Sequence, residues 1–263
     1  MTKTATTMAA ALAMAGIAAA LGAAEPNTLT PAEKAAGWQL LWDGKTLNGW
    51  VGEKGGCKAP PAKGCKIEDG ILTVLPTSRI TQSGKWEKLP KEQAALGGGG
   101  DLVTKESFKD FELVVDFRLT RAANSGIKYF YDKDKFRGTC EEYQILDPAH
   151  PDANRGRNGN RRVAALYDMM PASADKVVRP AGEWNTAKIV SKGSHVEHWL
   201  NGVKVLEYER GAEQFREFVK RSKYKSSEKK DGARWGETPE GRIKLQDHSD
   251  STVSFRNIKI RRL

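Results

Sequence analysis

The sequence predicts an all-β protein, a sandwich of two antiparallel sheets. Three observations carry that prediction. Apolar residues recur with period two along most of the chain. Gly, Asn and Asp cut the pattern at short intervals. Helical spacing is confined to two short stretches.

The first helix falls at 31–36, opened by Pro31 with Thr30 as its N-cap. The second spans 212–222, where Phe215, Phe218 and Val219 share a face. Between them lie strands. Residues 39–42 form a short one, and 67–74 form two, folded at Asp69-Gly70. The clearest runs over 111–119, with Phe111, Leu113, Val115, Phe117 and Leu119 on one face. Strands at 127–131, 142–146, 186–190 and 195–200 follow. Asn201-Gly202 has the composition of a primed two-residue hairpin turn and leads into 203–208. Residues 243–247 and 252–263 close the sheet inventory. Asn124-Ser125-Gly126 reads as a connection between strands, and the Arg- and Asn-rich 155–162 as a mobile loop.

The chain of 263 residues, 39% hydrophobic and 29% charged, is ordinary for a globular protein. Lys3, the apolar run from Met8 to Leu21 and the small residues Gly22-Ala23-Ala24 read as a cleaved signal peptide over 1–24. Residues 25–37 are then a linker and 38–263 a single domain. Export to the periplasm or beyond follows, with no stable membrane insertion. The formal charge of +10 is dispersed apart from the stretch between Lys220 and Lys230, so it reads as a basic surface and not as a nucleic-acid footprint. Cys57 and Cys65 flank a Pro-containing loop, which in an exported chain predicts a disulfide. Cys140 reads as a buried free thiol. His150 and His195 stand alone and read as surface residues; His198 reads as packing or solvent.

Parity turns two strands into candidates for chemistry. In 142–147, Tyr143 and Ile145 share one face and Glu142 and Gln144 the other, with Asp147 following. In 243–248, Ile243 and Leu245 look inward while Lys244, Gln246 and His248 look away. Carboxylates and amides pair with sugar hydroxyls, and aromatic faces cover sugar C–H surfaces. Glu142, Gln144, Gln246 and His248 supply the first; Trp86, Tyr167, Trp184 and Trp235 are available for the second. Glu142 and His248 also move protons and are the candidate acid and base, facing one another across a single sheet. Asn124, Gln144, Asp147, Tyr167, Lys244, Gln246 and Trp235 are the candidate substrate contacts. No compact ligand spacing marks a metal site, so a structural calcium ion or other divalent metal cannot be placed, and no other cofactor is expected.

An ordered series of motifs resembles the 3-keto-disaccharide hydrolase family. It opens with Leu40-Leu41-Trp42-Asp43-Gly44-Lys45-Thr46-Leu47-Asn48-Gly49-Trp50. It continues through Asp110-Phe111-Glu112-Leu113, Asn124-Ser125-Gly126-Ile127 and Glu142-Tyr143-Gln144-Ile145-Leu146-Asp147. Gly182-Glu183-Trp184-Asn185, His198-Trp199-Leu200-Asn201-Gly202, Leu245-Gln246-Asp247-His248 and Phe255-Arg256-Asn257-Ile258 complete it. The resemblance implies a concanavalin A-like jelly roll and an exported enzyme acting on glycosides oxidised at C3. A non-catalytic carbohydrate-binding module and a conventional glycoside hydrolase are the alternatives on the same fold. The cysteine loop and the segment near Arg157 depart from the family pattern and leave the preferred sugar open.

Overall fold

A computed structural model describes residues 25–57, 63–227 and 234–263. The targeting segment expected over 1–24 lies outside the described residues, as does part of the basic stretch after Lys220. Among the described residues no helix is long and apolar enough to cross a membrane.

The strands are β1 (Gln39–Leu40), β2 (Trp50–Gly52), β3 (Cys65–Glu68), β4 (Ile71–Val74), β5 (Ser78–Ile80), β6 (Trp86–Lys88), β7 (Leu102–Phe108), β8 (Phe111–Leu119), β9 (Asn124–Tyr131) and β10 (Glu141–Leu146). They continue with β11 (Trp184–Lys192), β12 (His195–Leu200), β13 (Val203–Glu209), β14 (Gly241–Leu245) and β15 (Val253–Arg262). The helices are α1 (Pro31–Ala35), α2 (Lys91–Ala94) and α3 (Glu213–Arg221). Thr30 caps α1 in a reciprocal capping box with Glu33.

The larger sheet runs β13-β12-β11-β8-β15-β4-β3, with β1 added alongside β15. The smaller runs β10-β9-β14-β7-β2, and β5 and β6 form a separate hairpin. The two sheets pack as a jelly-roll sandwich. At the centre β8 buries Phe111, Leu113, Val115 and Phe117 almost completely, each worth about 1.5–3 kcal/mol relative to exposure. Its alternating partners Glu112, Asp116 and Arg118 stay half-buried on the opposite face. The turn at Asn201-Gly202 places both residues at positive φ, as a primed turn requires.

Asn124-Ser125-Gly126 is not a connection. These residues begin β9, paired with Leu146, Ile145 and Gln144. The reversal comes one step earlier, at Thr120–Ala123, where Ala122 takes positive φ and Ala123 N–H donates to Thr120 C=O. Between the sheets the Tyr129 hydroxyl meets His198 Nε2 and the Tyr208 hydroxyl, each at 2.7 Å. Burial lowers the His198 pKa to about 4. The ring is neutral, donates from Nδ1 to the Ala164 carbonyl at 2.9 Å, and accepts from Tyr129. Cys57 and Cys65 are joined, with Cα atoms 5.3 Å apart, and Cys140 is free and buried.

Candidate active site

Side-chain parity aims one face of the smaller sheet away from the core. Tyr143 and Ile145 of β10 and Ile127 of β9 are fully buried between the sheets. Glu142 pairs with Lys128, and Lys128 with Lys244, so three charged side chains form a row across three neighbouring strands. One step along, Gln144 pairs with Gly126, and Gln246 N–H donates to the Gly126 carbonyl. Gly126 is the clearing in this row: a Cβ there would stand 2.2 Å from Glu142 Oε1.

This outward face is not open. Glu142 is 3% exposed and Gln144 1%. The segment 164–170 lies against the free edge of β10 as an extra strand. Ala164 N–H donates to Gln144 C=O, Gln144 N–H to Ala165 C=O, and Tyr167 N–H to Glu142 C=O. His198, reaching through from the larger sheet, holds this strap by the Ala164 carbonyl. Around this face Lys128, Tyr167, Gln246 and His248 are half-buried.

Lys128 Nζ stands 3.9 Å from Glu142 Oε2. Burial works against the Lys128 charge, but Glu142 and Asp101 outweigh it, and its pKa rises above the usual lysine value. Lys244 is more fully occupied. Its Nζ pairs with Glu53 at 2.9 Å and Asp101 at 3.0 Å and sits 3.9 Å over the Tyr131 ring. Lys128 therefore has donors to spare, and Lys244 does not.

His248 lies just past the end of β14, and Asp250 holds its ring. Nδ1 meets Asp250 Oδ1 at 2.7 Å, which leaves Nε2 to exchange a proton. Burial opposes the imidazolium, but Asp250, with Asp152 and Glu142 farther off, wins, and the His248 pKa is raised. Burial also opposes the Asp250 charge, yet the nearby His150 imidazole and hydrogen bonds with His248 and Ser251 hold its carboxyl well below the usual range. His150 is not a surface residue. It is 4% exposed, accepts from Asp152 N–H through Nδ1, and turns Nε2 to within 3.5 Å of Asp250 Oδ2. Asp250 thus sits between two imidazoles.

The remaining candidates divide. Gln144 Nε2 donates to Asn124 Oδ1 at 3.1 Å, while Gln144 Oε1 is buried without a hydrogen-bond partner among the described residues. Asp147 is a brace: its Oδ1 accepts from Ala122 N–H and Ala149 N–H. Tyr167 lies beside Glu142, with Lys223 Nζ 4.1 Å and Arg161 5.5 Å from its ring centroid. Burial pushes its hydroxyl up to about 12. Trp235 has to be withdrawn as a sugar platform. It is 0% exposed, stacked on Tyr224 at 4.1 Å and Phe215 at 6.2 Å, with Nε1–H donating to Thr139, so protein covers its face. Trp184 is likewise covered, by the guanidinium groups of Arg118 and Arg256. Trp86 is exposed on the β5–β6 hairpin.

Lys128 escaped the sequence reading although the parity of β9, with Ile127 and Tyr129 in the core, already pointed it outward. Asp250 and His150 carried weaker signals, because loop conformation alone brings them to His248. Among the described residues one cluster, His195, Glu197 and Glu207, has potential metal-ligand atoms within 4.8 Å of one another. It lies on β12 and β13 of the larger sheet, and Lys204 already pairs with both of its carboxylates.

With this geometry described, similarity to known proteins can be stated. Residues 37–261 match the model of the 3-keto-alpha-glucoside-1,2-lyase-like domain. A 3-keto-disaccharide hydrolase of Bacteroides thetaiotaomicron is 36% identical, over 92% of this chain and 83% of that protein. A Parabacteroides distasonis crystal structure, provisionally assigned as a glycosyl hydrolase, superposes with a TM-score of 0.70 at 29% identity, covering 90% of this chain and 99% of the other. A second structure from the same organism, with the same provisional assignment, gives 0.57 at 26% identity, covering 86% and 99%.

Proposed function

We propose that this chain, which belongs to the 3-keto-alpha-glucoside-1,2-lyase-like domain family and is a carbohydrate-active enzyme, cleaves glycosides already oxidised to a ketone at C3. The observation that carries the reading is one face bearing a carboxylate against an ammonium, Glu142–Lys128 at 3.9 Å, together with an imidazole held by Asp250.

A C3 carbonyl acidifies the hydrogen on C2. Glu142, beside the Lys128 ammonium, takes that proton, and the electrons of the C2–H bond pass into an enolate whose oxygen lies on C3. Lys128, kept cationic by its neighbours, stabilises that oxygen. The enolate collapses, the C1–O bond breaks, and His248 gives its Nε2 proton to the departing oxygen. The Asp250 carboxylate against Nδ1 favours the imidazolium that makes this transfer, and raises the His248 pKa. Water then adds across the C1=C2 bond, hydroxyl to C1 and proton to C2, giving the free 3-keto sugar. Gln144 Oε1, which has no hydrogen-bond partner among the described residues, is the acceptor left for a ring hydroxyl.

This reading separates the enzyme from glycosidases that place two carboxylates about the scissile bond. Purified protein is incubated with a 3-keto-disaccharide and with its unoxidised parent. Cleavage of the keto sugar alone is expected; cleavage of the parent alone, or binding without turnover of either, overturns the reading. Export belongs to the same proposal and rests on the composition of residues 1–24. Mature protein beginning at Glu25 in the periplasm or medium supports it, and an intact N-terminus in the cytoplasm does not.

A further inference from the structure

A second concavity adjoins this face. It encloses about 470 Å³. Six cations line it: Arg155, Arg157, Arg161, Arg221, Lys223 and Lys225. The one carboxylate in its wall, Asp168, is already spent, with Oδ1 on Arg161 Nε at 2.7 Å and Oδ2 accepting from Lys223 N–H at 2.8 Å. Arg155 pairs with Asp152, and Arg221 loosely with Glu217 at 3.7 Å. Arg157 and Lys225 have no ion-pair or hydrogen-bond partner for their charged groups among the described residues, and Lys223 rests only against the Tyr167 and Tyr224 rings. Like charges gathered in one recess repel one another, and an entering anion relieves that repulsion.

The loop that carries Arg155, Arg157 and Arg161 is built and not slack, contrary to the expectation from its composition. Asn160 is 5% exposed and ties it down. Its Oδ1 accepts from Arg157 N–H at 2.8 Å, its N–H donates to Arg157 C=O, its Nδ2 reaches Met169 C=O, and its C=O accepts from Asp168 N–H. Gly156 packs against it so closely that a Cβ would stand 2.3 Å from Asn160 Oδ1. The guanidinium groups are thus presented from a fixed backbone, with Met169, Pro171 and Phe218 as apolar wall.

The recess is joined to the proposed chemistry by one side chain. Lys223 and Arg161 flank the Tyr167 ring, and Tyr167 N–H donates to the Glu142 carbonyl. Crowding by protein, with Lys128 and Arg161 nearby, lowers the Lys223 pKa against the pull of Glu142 and Asp168. Tyr167 thus touches Glu142 through its backbone and the cations of the recess through its ring.

We propose that the recess is a subsite for an anionic leaving sugar, one that carries a carboxylate or a sulfate ester, seated by Arg157, Lys225 and Lys223. The proposal rests on the cleavage reading for its place in the reaction, and on the recess alone for its binding. Arginine forks match both anions bidentately.

Two measurements keep those grounds apart. Full-length protein is titrated calorimetrically with glucuronate, glucose 6-sulfate and glucose. The two anions are expected to bind at least about tenfold more tightly than glucose, the yield of one charge-assisted hydrogen bond, and to weaken as salt rises. The ratio between them tells carboxylate from sulfate. In parallel, kcat/KM is measured for 3-keto-glucosyl disaccharides whose second sugar is glucose, glucuronate or glucose 6-sulfate. Preference for one or both anionic substrates, lost in Arg157→Ser/Lys225→Ser, supports the subsite. Equal handling of neutral and anionic substrates overturns it while leaving cleavage intact. Anion binding without turnover of any keto sugar upholds the recess and overturns the cleavage reading. Binding of neither anion above glucose overturns the recess outright.

Discussion

Substituting one methyl group into the clearing at Gly126 tests the catalytic role of Glu142 without touching the carboxylate. Gly126 is not among the residues at positive φ, so alanine is acceptable to its backbone. The methyl would nevertheless stand 2.2 Å from Glu142 Oε1 and 2.8 Å from its Cγ. Ordinary contact requires the carboxylate to move by roughly 1 Å, and a misplacement of that size costs about 10²-fold in rate, about 2.7 kcal/mol of barrier. The Glu142 side chain is 4% exposed, so its carboxylate has little open space to move into and its 3.9 Å pairing with Lys128 is disturbed. Gly126→Ala is therefore expected to lower kcat on a 3-keto-disaccharide about a hundredfold, with KM nearly unchanged and melting lowered by a few degrees. Added to Glu142→Gln, the same methyl should cost little more, because both changes disable one group. A folded Gly126→Ala protein with wild-type kcat would refute the assignment of Glu142, since its carboxylate cannot both move and remain the base.

Glu142→Gln and His248→Ala should each reduce turnover by about 10²-fold or more while leaving the fold intact, as read by kcat and circular dichroism. With His248 as the acid, the rate falls as pH rises through its pKa, which lies above the ordinary imidazole value of about 6.5. Asp250→Asn should shift that limb toward acid, and an unmoved limb would detach His248 from it. Asp250, whose pKa is lowered in the fold, adds stability above the unfolded carboxylate value near 4 that is lost as pH falls, so Asp250→Asn should also flatten acid destabilisation. Trp235→Ala should cost about 3–5 kcal/mol in denaturant unfolding, the mark of a packed ring, without a selective rise in KM. Removing the Cys57–Cys65 link should cost about 2.5 kcal/mol by the loop-entropy relation while keto-sugar cleavage persists.

The sandwich was legible wherever one face of a strand is core and the other is not. The 111–119 reading coincides with β8 because its burial alternates without a break. β7 went unread because Thr-Lys-Glu-Ser interrupts its apolar residues, and Thr104 is buried by turning its hydroxyl to the Glu106 carbonyl. β2, β5 and β6 have three residues each, too few to show a period. Parity also assigned the faces of Glu142 and Gln144. It could not show that the strap closes the edge of their strand, since that depends on His198 and Ala164 meeting across 34 positions of sequence. Composition likewise made a mobile loop of 155–162, when one buried asparagine decides otherwise.

The strap has a consequence for how the molecule behaves in company. β10 is the last strand of its sheet, and all six of its residues are buried. Left bare, its row of amides and carbonyls would be a template for a strand from another chain, the usual first step toward fibres. Ala164, Ala165 and Tyr167 already occupy that row. The opposite edge, β2, is only three residues long, and β13 at the rim of the larger sheet carries Lys204, Glu207 and Glu209. The segment that pairs with the proposed catalytic strand thus also closes that edge of the sheet to a strand from another copy of the protein.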